Sequence, residues 1–115
     1  MIAVIFEVEP AAEQLNEYLA VAAQLYDELK RVEGFISVER FKSLSDDQKL
    51  LSLSFLKDAE SVANWRNAIQ HRTAQVKGRA SVFRNYRLRV ANVIRDYGMG
   101  ERDEAPVDSK QFHHS

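Results

Sequence analysis

The chain has 115 residues, 45% of them apolar and 29% charged, with a formal net charge of −1 and no cysteine. That is enough for one globular domain with a real core, and it excludes disulfides, thiolate nucleophiles and cysteine-ligated zinc or iron–sulfur centres. No apolar run is long enough to span a membrane, and the opening "MIAVIFEVEP" has no basic leader and meets Glu7 too early for a signal peptide, so a cytoplasmic protein is expected.

Residues 2–8, "IAVIFEV", are β-branched and aromatic with Ile2, Val4, Phe6 and Val8 on one side, the pattern of a strand. Pro10 is expected to open a helix running from Ala11 to about Val32, its inner stripe formed by Leu15, Leu19, Ala22, Tyr26 and Leu29 and its end marked by Gly34. "FISVERFKSL", the turn "SDDQ" and "KLLSLSFLK" read as a hairpin of two further strands. Asp58 is a plausible N-cap for a second helix reaching Gly78, with Val62, Trp65, Ile69 and Val76 inside. A last strand is expected from about Ala80 to Arg95, with Tyr86, Leu88, Val90 and Ile94 on one side and Phe83, Asn85, Arg87, Arg89 and Val93 on the other.

This order is β-α-β-β-α-β, an α+β ferredoxin-like fold with a four-stranded antiparallel sheet and two helices on one face. The other face would carry Ile5, Phe35, Phe41, Leu53 and Phe55, apolar and without intrachain cover, so a homodimer is expected. The domain should occupy residues 1–97. Residues 98–115 lose all periodicity and read as a C-terminal tail, ordered only against another surface.

Charge is unevenly distributed. From Asn64 to Arg95 there are eight basic residues and no Asp or Glu, with twelve acids before this block and five after it. The block is either a solvated basic face or the seat of an anionic ligand or an acidic protein surface. RNA-recognition domains share the strand–helix order, but "KLLSLSFLK" has one aromatic and no glycine where stacking aromatics are needed, which argues against nucleic acid. His71 has no histidine or carboxylate neighbours at ligand spacing, so no metal site is expected, and nothing marks a hydrolase triad.

The set Gly34-Phe35, Trp65, His71, Gly78-Arg79 and Tyr86, in this order of elements, resembles the antibiotic biosynthesis monooxygenase-like family of dimeric α/β-barrel proteins, and Ala105, Pro106, Asp108 and Ser109 are similar to the tails of some members. The resemblance implies a pocket between sheet and helices. Family members include oxygenases that use no cofactor and convert phenolic polycycles to quinones, and haem-degrading enzymes. Quinone-forming members carry an asparagine four residues before the tryptophan; Ser61 stands there in this chain, and Asn64 is adjacent to Trp65. Haem-degrading members carry a first-strand asparagine, missing here, and a helical histidine further from the tryptophan than His71, so weak or no haem binding is expected.

Two functions remain in view. One is a cofactor-independent monooxygenase acting on an aromatic, phenolic small molecule, with Trp65 and His71 as catalytic residues and Asn64, Arg72, Arg79, Tyr86 and Arg87 binding substrate. Oxygen reacts slowly with closed-shell organic molecules, so such a site must favour an electron-rich anion, His71 acting as base and the arginines as counter-charges. The other is a non-catalytic dimeric barrel that binds a small ligand or serves assembly, with Trp65 in the core and His71 on a regular helix facing away from it.

Overall fold

In the computed structural model, which describes the backbone of residues 1–75 and 83–112 and the side chains of 1–69 and 84–109, the elements run β1 (Ile2–Pro10), α1 (Leu15–Leu29), β2 (Phe35–Lys42), β3 (Leu50–Leu56), α2 (Ala59–Gln75), β4 (Phe83–Asn92) and α3 (Val107–Phe112). The sheet order is β2-β3-β1-β4 and each neighbouring pair is antiparallel. β1 lies inside the sheet, paired with β3 on one edge and β4 on the other, with Ile2, Val4, Phe6 and Val8 on one face and Ala3, Ile5, Glu7 and Glu9 on the opposite one. The hairpin turn is held by Ser43 and Asp46, whose side-chain oxygens accept the Asp46 and Gln48 amides.

Both helices lie on the face that carries Ile2, Val4, Phe6 and Val8. Val4 of β1, Leu56 of β3, Leu29 of α1 and Val62 and Trp65 of α2 form one buried cluster, flanked by Ile2, Leu25, Val32, Phe35 and Ile69. A second, smaller cluster joins Val8 to Tyr18, with Phe6 and Leu50 against them. Between the two, β3 presents Ser54 and Ser52 to this face, the first almost fully buried.

Three local expectations are corrected. Pro10 does not open α1 but closes β1, at a register shift against β4 where the missing N–H costs no ladder bond. The chain then turns through Glu13 (φ 64°) before α1 begins at Leu15. The buried stripe of α1 is Tyr18, Ala22, Leu25 and Leu29, turned by about 60° from the stripe read in the sequence, and Leu15, Leu19 and Tyr26 are left exposed at 48%, 43% and 40%. The cause is β2: Arg40 donates from Nη2 to the Ala22 carbonyl at 3.2 Å and hydrogen-bonds Tyr18, drawing that edge of α1 onto the sheet. Phe35, finally, packs in the core and not on the open face. β2 pairs Phe35 with Leu56 but Ser37 with Phe55, so Ile36 bulges outward and every residue before it changes side.

The uncovered sheet face therefore carries Ile5, Leu51, Leu53, Phe55 and Phe41, with Ile36 beside them, bordered by the ion pairs Arg89–Glu7 and Arg84–Glu9, both 3.1 Å. An apolar centre with a charged rim is the anatomy of an interface. The segment after β4 also differs from expectation, because it is organised from within. Arg102 donates to the Gly98 carbonyl at 3.1 Å and to Ser109 Oγ at 2.8 Å, its guanidinium lies 5.0 Å from the centre of the Tyr97 ring, and Ala105 is buried beside the short α3.

Gly34 forms the corner between α1 and β2. Its φ is +87°, its carbonyl accepts the Lys57 amide at 2.7 Å, and a Cβ there would overlap Ser61 Oγ. Gly34→Ala therefore meets both the left-handed backbone penalty of about 1–2 kcal/mol and a steric conflict that has to be relieved at the first turn of α2. A loss above ~2 kcal/mol is expected, read as a drop of roughly 10 °C in the thermal midpoint. Ser61→Gly in the same chain should recover the steric part and leave the backbone part.

Candidate functional site

The first turn of α2 sets the position of Trp65. Asp58 Oδ1 accepts both the Ser61 amide at 2.8 Å and the Ser61 hydroxyl at 2.7 Å, which satisfies a free helix-end N–H and fixes the helix on β3. These bonds stabilise the carboxylate and hold the Asp58 pKa below its ordinary value. One turn further on, Trp65 is 7% exposed within the first core cluster. Its indole N–H is buried and, among the described residues, meets no acceptor. An unpaired buried donor of this kind costs about 1–3 kcal/mol, and a ligand oxygen arriving at that point would recover it.

The residues singled out in the sequence do not all converge. Asn64 is exposed next to Trp65 in the chain. Tyr86 shares the helix-side face with Trp65 but belongs with Phe6, its ring edge-on at 5.6 Å, in the second cluster. Its register partner is Val8, four residues along β1 from the Val4 of the Trp65 cluster, or about 13 Å. Arg87 pairs with Glu7 in register and thus lies on the opposite face of the sheet, so it does not belong with Trp65 in one intrachain pocket. The backbone of His71 and Arg72 lies on α2, which is continuous from Ala59 to Gln75, so the helix break that would carry His71 into a pocket with Trp65 is absent; the side chains of both are outside the described residues, as is all of Arg79, with Val76 and Gly78.

What the sequence reading missed is the open flank. On β4 the helix-side residues Tyr86, Leu88 and Val90 are 60%, 43% and 55% exposed, forming an apolar strip that joins the Trp65 cluster to the Phe6–Tyr86 pair. The strip was visible as a strand face in the sequence; that the helices leave it uncovered was not. This strip, with Phe6 of β1 beside Tyr86 and Leu88, offers an apolar surface suited to the face of a flat ring. In the same cluster as Phe6, Tyr18 is buried, which pushes its pKa above the ordinary value, while the adjacent Arg40 acts in the opposite direction. A concavity lined by Glu7, Val8, Glu9, Lys49, Asn85, Tyr86 and Arg87 brings Tyr86 and Arg87 together, but it holds only about 90 Å³ and is polar and open, too small to enclose such a ring. The described residues contain no group of three metal-ligating side chains, and no helix among them is long and apolar enough to cross a membrane.

The fold defines a ferredoxin-like α+β domain with an exposed apolar strip on the helix side of its last strand. The chain belongs to the antibiotic biosynthesis monooxygenase family, whose sequence model matches residues 1–77. Over 93 residues it is 46% identical to the jasmonate monooxygenase of Pyricularia oryzae, a match that covers 81% of this chain but only 43% of that protein, so the chain spans less than half of its relative. Its fold is similar to that of Rv0793 from Mycobacterium tuberculosis, with a TM-score of 0.71 and 15% identity over 84% of this chain and 98% of the other. A Deinococcus radiodurans protein described as a candidate antibiotic biosynthesis monooxygenase matches equally well, with a TM-score of 0.71 and 9% identity over 85% and 97% of the two chains.

The Asp58 cap gives a pH signature. Because the folded state lowers this pKa, the cap contributes its full stability above the unfolded value near 3.9 and loses it as the pH falls through the lower folded value. Urea unfolding of the wild type and Asp58→Ala should show a gap at pH 7 that narrows progressively below pH ~4. The gap should also shrink modestly with salt, since Asp58 is at the surface.

Proposed function

We propose that this chain is a small-molecule monooxygenase whose substrate is an apolar ring compound that reacts as an anion, bound between α2 and the exposed strip of β4. The observation that carries the reading is Trp65: a large aromatic wall, buried, with an indole N–H that meets no acceptor among the described residues. A donor there can hold an oxygen of the substrate or of the oxygen adduct where negative charge develops. In this reading Arg72 and Arg79 supply counter-charge, and the base is His71 acting across the homodimer, since the unbroken α2 does not carry it into a pocket with the Trp65 of its own chain.

The electron balance makes a cofactor dispensable for one class of substrate. A phenolic polycycle with an activated ring methylene reacts as CH2 + O2 → C=O + H2O, in which the carbon loses four electrons and dioxygen gains four. Such a substrate is its own reductant. Hydroxylation of an unactivated C–H bond differs, because two further electrons must come from outside. Jasmonate, the substrate named for the Pyricularia relative, is also an apolar ring compound with an ionisable group, and it supports an anionic substrate class for this chain. The phenolic member of that class is favoured here because only it closes the electron balance without a partner.

A second reading, a ligand-binding barrel without catalysis, is supported by Ser61. It stands where quinone-forming relatives place an asparagine, and its hydroxyl is committed to Asp58. In both readings the working unit is a homodimer formed through the uncovered sheet face around Ile5, Leu53 and Phe55.

Three measurements test these statements. Light scattering at micromolar concentration should give twice the 13.2 kDa chain mass; a clean monomer removes the dimer. Oxygen uptake on an anthrone-type phenol, without added metal, flavin or nicotinamide, should fall at least tenfold in Trp65→Phe while stability changes by only about 1–2 kcal/mol. His71→Ala should slow the reaction by about 10²-fold near neutral pH and by less at alkaline pH, where the phenol ionises unaided. No uptake by the wild type across several phenols leaves the binding barrel as the better description.

A further inference from the structure

We propose that the C-terminal arm, residues 94–109, docks on a second copy of this chain along the exposed strip Tyr86–Leu88–Val90, so that each ligand site is completed by its partner. The inference rests on the homodimer and ligand site proposed above and adds which segment closes that site.

The first support is that the arm has a shape of its own. Arg102 ties the Gly98 carbonyl, Ser109 and the Tyr97 ring together, the Gly98 amide donates to the Glu101 carbonyl at 2.8 Å, and the Ala105 amide donates to the Arg102 carbonyl at 3.1 Å. A segment preorganised in this way loses little conformational entropy on docking. Yet it turns apolar side chains outward: Ile94 is 87% exposed, Met99 98% and Val107 72%. Internal order with outward apolar residues is what a docking segment shows before it meets its surface.

The second support is where the arm goes. A compact chain of this length has a radius of gyration of about 13 Å, whereas this one measures 16.9 Å with a longest dimension of 56 Å. The arm leaves the end of β4 and does not fold back, since the β4 strip of the same chain is still exposed. The surface that needs cover and the segment able to supply it are thus both present and unjoined within one chain.

Charge provides the third. The arm, residues 94–109, holds five acids (Asp96, Glu101, Asp103, Glu104, Asp108) and two bases, Arg95 and Arg102, while residues 64–93 hold seven bases and no acid. Arg84 and Arg89 of β4 are paired with Glu9 and Glu7, which leaves the exposed Arg87 as the β4 cation with no ion pair among the described residues. Because β4 is the outer strand of the sheet, an arm lying along that edge can set its apolar residues on the Tyr86–Leu88–Val90 side and its acids toward Arg87 on the other, and the pairing is reciprocal, as two-fold symmetry requires.

The test uses the full chain with a photo-reactive benzophenone side chain at position 99, where Met99 is fully open to solvent. Light and 15N-labelled protein are dissociated, mixed and reassociated, irradiated, and the cross-linked peptides assigned by mass spectrometry. The expected result is cross-linking to the peptide spanning residues 84–92 in mixed-isotope pairs. Cross-links only within one isotope label, cross-links elsewhere, or none in a sample that scatters as a dimer would overturn arm docking while leaving the dimer intact. A sample that scatters as a monomer removes the dimer itself and docking with it. As a second readout, Met99→Asp with Val107→Asp should raise the dimer dissociation constant at least tenfold while leaving the thermal midpoint of the diluted monomer unchanged.

Discussion

The corner at Gly34 is the constraint on which the rest of the molecule depends. Only a residue without a Cβ can hold this left-handed conformation and let the Ser61 side chain approach so closely. Through that approach the end of α1, the start of β2 and the first turn of α2 share one point, and the Gly34–Lys57 hydrogen bond fastens it to the end of β3. Trp65 sits one turn beyond Ser61, so its depth in the core is fixed from the same corner. The serine that closes the corner is thereby committed to packing and to the Asp58 cap.

Much of the architecture was legible because it rests on short-range pattern. Alternation in "IAVIFEV", the "SDDQ" turn and the Asp58–Ser61 cap each specify their element locally, and the element order then restricts the topology to a few possibilities. What escaped was decided by partners distant in sequence. The stripe of α1 contains Ala22 and Leu29 in either register, and only the hydrogen bonds from Arg40 on β2 select Tyr18 over Leu19 as the inward neighbour. Likewise "FISVE" alternates cleanly on paper, and the bulge at Ile36 exists because Phe35 gains more in the core opposite Leu56 than it would on the open face.

Of the candidate site, the burial of Trp65 was legible in the sequence and the surroundings were not. Trp65 was visible as the one tryptophan on an amphipathic stretch. The separation of Tyr86 and Arg87 from Trp65 follows from strand register, which sequence spacing alone does not give. The uncovered strip on β4 is a matter of how far the helices reach across the sheet, a property of packing and not of any one segment.

Trp65 has one more consequence. It is the only tryptophan in the chain, and it sits where both helices meet the sheet, beside the proposed ligand site. Its fluorescence therefore comes from a single site whose polarity changes when a ring stacks on it, when an acceptor reaches the indole N–H, or when the core opens. The protein carries a built-in optical probe at the place where folding and the proposed ligand binding converge.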